Sequence, residues 1–233
     1  MVLKDIQQIP SVQTQQHPFE LICIAASWGG VEALKIVLGG LPVGFSTPIA
    51  IAMHMSHKWS YLVEILKKHT GHCLQWAHDG LTLVPGSITI GPGDKHILVE
   101  ETGRYRLSSA PKLHYVRPAA DLLFESAAHV YGERVIGVVL TGLGRDGAVG
   151  CRAIKNAGGR ILVQDRDTCS KFEMPHAAIE TGAVDFVLPL DQLPVALQAF
   201  TVKGLADYFR VSPEFSFSHV RKARGTHYPT LAP

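Results

Sequence analysis

Three stretches of this chain are short, apolar without interruption, and followed at once by a turn. They are Leu21-Ile22-Cys23-Ile24-Ala25-Ala26, Pro48-Ile49-Ala50-Ile51-Ala52-Met53 and Val135-Ile136-Gly137-Val138-Val139-Leu140. Runs of about six residues are too short for typical helices, and the lack of polar alternation means that both faces of each strand are buried. Helical patterns come next: Val31, Leu34, Val37 and Leu38 after the first run, residues 61–69 after the second, and a stretch through Ala153 and Ile154 after the third. Residues 160–164 and 185–188 add two more apolar strands. Strands alternating with helices predict an α/β fold, a doubly wound and mostly parallel sheet with helices on both faces. Residues 79–109 break the alternation. Pro85-Gly86, Gly91-Pro92-Gly93 and Gly103 punctuate them, with β-prone runs at 87–90, 96–100 and 105–108. This reads as a small antiparallel hairpin set added to the main sheet.

The organisation is that of one domain over residues 19–202 with two flanking segments. Residues 1–18 are Gln-rich and polar, with Pro10 and Pro18, and read as a flexible tail. Residues 203–233 mix aromatics, Pro213, Pro229 and Arg221-Lys222-Ala223-Arg224, and read as a C-terminal extension of unassigned role, a surface-draped or partly disordered tail with a partner-docking segment as the alternative. With 233 residues, a chain can bury roughly 70% of its unfolded surface and needs no staples.

Composition narrows the function classes. A net charge of +2 lacks the basic excess of a general nucleic-acid binder. Cys23, Cys73, Cys151 and Cys169 lie far apart with no C-x-x-C pair, as expected for reduced cytosolic thiols. No apolar run reaches the roughly 18–20 residues of a membrane span, and residues 1–10 lack the apolar core of a secretory signal. A cytoplasmic protein without membrane insertion is the expectation.

In open α/β sheets, ligands sit beyond the carboxyl ends of the strands. Ser27 follows the first strand, His54 the second, and the loop Thr141-Gly142-Leu143-Gly144-Arg145-Asp146-Gly147 the third. Together they supply the parts of a nucleophilic triad. An imidazole takes the serine proton during attack and returns it to the leaving group, while a carboxylate fixes the tautomer and stabilises the imidazolium. Gly29 and Gly30 let the chain bend after Ser27, and the helix start there offers N–H groups to a developing anion. Each residue also has a plainer reading: Ser27 as a helix cap, His54 as a structural histidine, the Asp146 loop as a phosphate or magnesium loop. Three rivals follow. A nucleotide-binding α/β domain would need a G-x-G-x-x-G or G-x-x-x-x-G-K-[ST] turn, and neither is present. A metal hydrolase would draw on His54 with His57 or His69 with His72, but no H-E-x-x-H occurs. A catalytically inactive binding module of the same fold is the third.

At these residues the chain resembles the catalytic domain of the chemotaxis protein-glutamate methylesterases, the CheB type. Ala26-Ser27-Trp28-Gly29-Gly30 is similar to that family's A-S-T-G-G turn, and Met53-His54-Met55-Ser56 to its Q-H-M-P motif. Residues 140–148 are similar to its L-T-G-M-G-x-D-G-A motif. Arg117-Pro118-Ala119-Ala120-Asp121 resembles R-P-S-x-D, and Met174-Pro175 with Ala177-Ala178 resembles G-M-P-x-A-A. The likeness runs from about residue 20 to about residue 200. It implies a serine hydrolase that demethylates glutamate methyl esters, and in many members deamidates glutamines, on the cytoplasmic helices of methylated chemoreceptors. Ser27 would be the nucleophile, His54 the general base and Asp146 the orienting carboxylate. Trp28, Leu143, Gly144 and Met174 would form the oxyanion hole and cleft. No cofactor and no metal are implied.

The departures from the family pattern cluster around the cleft. Trp28 stands for a small Thr, Leu143 for Met, Met53 and Ser56 for Gln and Pro, Ala119 for Ser and Glu173 for Gly. They bear on substrate fit more than on reaction type, since an oxyanion donor at Leu143 is a backbone N–H. Many members carry an N-terminal phosphoacceptor domain, and about 20 residues before the first strand are too few for one. The expectations are constitutive activity, control by a separate regulatory protein, or excision from a longer protein.

Overall fold

The computed structural model describes residues 19–55 and 61–201. The expectations for the N-terminal tail, for Ser56 and His57, and for the extension at 203–233 lie outside the described residues. The chain forms β1 (Leu21–Ala26), α1 (Gly30–Gly39), β2 (Ile49–Met53), α2 (Leu62–Lys67), β3 (Cys73–Trp76), β4 (Ser87–Ile90), β5 (His96–Val99), β6 (Tyr105–Ser108), α3 (Ala120–Tyr131), β7 (Val135–Val139), α4 (Ala148–Asn156), β8 (Arg160–Gln164), α5 (Glu173–Glu180), β9 (Phe186–Leu188) and α6 (Leu193–Thr201).

Seven strands make one sheet in the order β3-β4-β2-β1-β7-β8-β9, every neighbouring pair parallel. The alternation of side chains along β1 divides the interior in two. Ile22, Ile24 and Ala26 join Leu34, Val37 and Leu38 of α1, Leu66 of α2 and Leu197 of α6 in one core. Leu21, Cys23 and Ala25 join Leu123 and Phe124 of α3, Ile154 of α4 and Ala178 of α5 in the other. Each Leu or Ile so enclosed contributes about 1.5–3 kcal/mol by leaving water. The central strands are therefore the most firmly held part of the sheet, and the turns leaving them inherit that rigidity.

The parallel doubly wound fold stands as expected, with one correction at the hairpin region. Among the strands of the described residues only β5 and β6 pair antiparallel, and they make a separate two-stranded sheet packed on α3. β4 instead lies inside the main sheet, parallel to β2 and β3. Its sequence, SITI between Pro85-Gly86 and Gly91-Pro92, has the length and flanking turns of a hairpin strand. What decides otherwise is burial on both faces: all four of its residues are enclosed. β3 was not foreseen, because an edge strand reading CLQW with an exposed cysteine has no apolar continuity. Among the described residues no helix is long and apolar enough to cross a membrane.

Candidate active site

The strand order reverses at β1, which has β2 on one side and β7 on the other. Such a switch point leaves a crevice at the carboxyl edge, because the crossovers on its two sides depart to opposite faces. Register brings two of the candidate residues to one level. Ala26 is paired with Met53, so Ser27 and His54 leave the sheet together. The His54 N–H donates to the Ala26 carbonyl at 3.0 Å, and the Ser27 N–H to the Thr141 carbonyl at 3.0 Å. Three turns from three strands are thus sewn to each other by backbone hydrogen bonds just beyond the sheet.

Two glycines permit the close approach. Gly29 holds a left-handed φ of 78°, and a Cβ there would lie 2.6 Å from Ser170 Oγ. A Cβ on Gly142 would lie 2.3 Å from Met174 Sδ and 2.7 Å from the Cβ of Ser27. No larger residue fits between the serine turn and the 171–174 segment. Thr141 fastens the same junction: its hydroxyl donates to the Trp28 carbonyl at 2.9 Å and accepts from the Lys171 N–H at 2.9 Å. Its N–H donates to Oε1 of the buried Gln164 at 2.8 Å.

His54 and Asp146 are joined directly, Nε2 to Oδ2 at 2.7 Å. The aspartate is 2% exposed. Its carboxylate also accepts the N–H of Ala120 at 2.6 Å and of Asp121 at 3.1 Å, the first residues of α3. That helix has no side-chain cap of its own, so Asp146 serves as one across the fold and sits against the positive end of the helix dipole. Burial is the strongest single influence on its acidity and pushes the carboxyl up. The hydrogen bonds from His54, Ala120 and Asp121, with the His54 charge, outweigh it and hold the carboxyl below its ordinary value. An ionised Asp146 bound through Nε2 leaves Nδ1 of His54 as the ring nitrogen able to take a proton from a hydroxyl. Among the described residues the Ser27 hydroxyl has no hydrogen-bond partner. It adjoins Gly142, and contacts of this kind tighten when substrate binds.

The structure distributes the other expected residues around this centre. Trp28 is exposed, at 62%, and Leu143 at 40%, while Met174 is fully enclosed beneath Gly142. The backbone N–H groups of Trp28 and Leu143 have no partner among the described residues, so both are free to donate to an anion. Gly144 differs: its N–H already donates to Glu173 Oε2 at 2.9 Å.

Several supporting residues were not assigned a role from the sequence. Thr141 and Asp121 lie inside the quoted motifs, and Gln164 ends an apolar strand where a polar side chain is itself a signal. His96, fully buried, accepts the Ala119 N–H on Nδ1 at 3.1 Å, and its Nε2 donates to the Pro111 carbonyl at 3.1 Å. It thereby fixes the start of α3 that in turn holds Asp146. Among the described residues no group of three or more His, Cys, Asp or Glu side chains is placed to hold a metal.

The chain is similar in sequence and fold to known proteins. The family model described as CheB methylesterase matches residues 22–197. A protein-glutamate methylesterase/protein-glutamine glutaminase of Anaeromyxobacter dehalogenans is 45% identical over 183 residues, covering 78% of this chain and 53% of its own length. The protein-glutamate methylesterase FrzG of Myxococcus xanthus is 41% identical over 202 residues, covering 84% of this chain and 60% of its own. The crystal structure of the Thermotoga maritima CheB methylesterase catalytic domain superposes with a TM-score of 0.74 at 34% identity, over 77% of this chain and 97% of that one. The chain thus spans a little over half the length of these full-length relatives.

Proposed function

The chain belongs to the CheB methylesterase family, and from that premise we propose that it is a serine hydrolase acting on glutamate methyl esters of chemoreceptor cytoplasmic helices. Ser27 attacks the γ-carbonyl, and Nδ1 of His54 takes the hydroxyl proton and returns it to the departing methanol. Asp146 holds the imidazole and stabilises its charged form. The N–H groups of Trp28 and Leu143 receive the oxyanion. Water then enters by the reverse sequence, with His54 as base, and releases the glutamate. A glutamine side chain offers the same γ-carbonyl with ammonia as the leaving group, so one site serves deamidation as well. The Anaeromyxobacter dehalogenans relative is named for both activities, and FrzG for the methylesterase alone.

The observation that carries this reading is the 2.7 Å His54–Asp146 bond beside the Ser27 turn at the sheet's switch point. It is a pre-set acid–base pair, formed without substrate. It also favours the enzyme over the inactive-module reading, because capping α3 needs the carboxylate alone, whereas its bond to His54 is the further contact that acyl transfer uses. The test is methanol release from methylated receptor cytoplasmic fragments, alongside labelling by a serine-directed fluorophosphonate. Wild type releases methanol and labels; Ser27→Ala does neither. Ester turnover by Ser27→Ala near the wild-type rate refutes the covalent route.

A further inference from the structure

One buried carboxylate stands outside this chemistry. Asp121, 1% exposed, lies directly behind the triad aspartate. Its own backbone N–H donates to Asp146 Oδ1 at 3.1 Å, while its side-chain Oδ1 accepts the Gly150 N–H of α4 at 2.8 Å and its Oδ2 meets His114 Nε2 at 3.2 Å. A second histidine–aspartate pair therefore backs onto the first, the two carboxylates bridged by a single residue. The groups facing Asp121 are His114 from the 109–119 loop, Asp146 from the turn after β7, Cys151 from α4 and Glu125 one turn along its own helix. Of these, His114 alone brings positive charge. His114 and Tyr115 both hold a left-handed backbone, with φ of 51° and 64°. Side-chain-bearing residues keep that conformation only where their surroundings over-determine it. The imidazole is thus delivered to the carboxylate by a constrained turn, with about a third of its side-chain surface, 34%, left open to solvent.

We propose that His114 and Asp121 are a positioning pair that balances the charge behind the triad, so that the protonation of His54 answers to a histidine on the protein surface. While His114 is charged, the pair is neutral and Asp146 is the single net anion facing His54. When it is neutral, Asp121 is left as a second anion in the same buried seam, and the imidazolium of His54 is favoured. Burial first, and then the nearby Asp146, push the Asp121 carboxyl up, against the Gly150 N–H and the His114 charge, which pull it down. This agrees with a carboxylate whose ionisation leans on its histidine. The proposal rests on Asp146 being the carboxylate that orients His54.

The experiment follows the ring protons of His54 by NMR through a pH titration in wild type, His114→Gln, Asp121→Asn and the double variant, with kcat/KM for methanol release measured over the same range. Asparagine keeps an acceptor for the Gly150 N–H, so the fold is retained. His114→Gln leaves an uncompensated anion and should move the His54 midpoint up by about half a pH unit; Asp121→Asn leaves an uncompensated cation and should move it down by about as much. The double variant should return close to wild type, and the acid limb of kcat/KM should follow each displacement. Single variants that shift the midpoint in the same direction, or not at all, overturn the pair. The NMR arm needs no substrate. Displaced midpoints in a protein that releases no methanol would sink the esterase reading alone, and unmoved midpoints in an active one would sink this proposal alone.

Discussion

Asp146 and Asp121 sit side by side in one seam, 2% and 1% exposed, and their carboxyls are driven in opposite directions, the first held below its ordinary value and the second above it. Burial alone would raise both. The difference lies in donors: Asp146 accepts from two helix N–H groups and an imidazole, Asp121 from one N–H and a histidine at a longer 3.2 Å. Depth therefore does not decide the direction in which a buried aspartate's carboxyl is driven. The number and alignment of its hydrogen-bond donors do. The first belongs to the crevice, the second to the packing of α3 against α4 that builds it.

The sharpest way to break this contrast is turnover. Asp146→Asn should lower methanol release by about 10⁴-fold, as loss of the orienting carboxylate does in triad enzymes. Asp121→Asn should cost less than about 10-fold, since the first triad bonds remain. Equal losses would mean that the two aspartates act as one unit. Stability comes next. Asp121→Ala strands the Gly150 N–H in a dry interior, and an unmet buried donor costs about 1–3 kcal/mol. Urea denaturation should show a lower midpoint with an unchanged slope.

How much of this was legible in the sequence follows from what each feature depends on. β1, β2 and β7 could be read because burial on both faces writes itself as continuous apolar residues, and their turns because glycine marks the close approach at Gly29 and Gly142. Ser27, His54 and Asp146 were picked out as candidates by a topological rule, that chemistry gathers at strand ends. That Ser27 and His54 leave the sheet at one level depends on the Ala26–Met53 register, which sequence spacing does not contain. β4 was misplaced because four residues between two turns fit either a hairpin or a sheet interior. The His114–Asp121 pair could not be read at all, since it depends on a left-handed turn at two residues that ordinarily avoid it.

The pH dependence of stability separates the two aspartates by sign. Asp146 is held below its ordinary value of 3.8, so its contribution is complete above that value and fades as pH falls through its folded value. Asp121 is held above 3.8, so its contribution is present below that value and is lost as pH rises through its folded value. Measured by urea denaturation across the acid range, the stability difference between wild type and Asp146→Asn should grow with rising pH. The difference between wild type and Asp121→Asn should shrink. Parallel curves would show that the seam titrates as one group.

The smallest effect is the most diagnostic of where the contrast stops. Leu143 lines the same loop as Asp146, but its proposed part is a backbone N–H, and its side chain is 40% exposed. Leu143→Met should change kcat by less than about twofold, because the donor and its aim are unchanged. Leu143→Pro removes that N–H and should lower kcat by about 10²-fold or more, the usual cost of a lost oxyanion donor. KM for the methylated fragment should move much less, since the contact strengthens only as the carbonyl oxygen gains charge. A comparable loss in the methionine variant would instead place the role in the side chain, and would return Leu143 to the cleft wall.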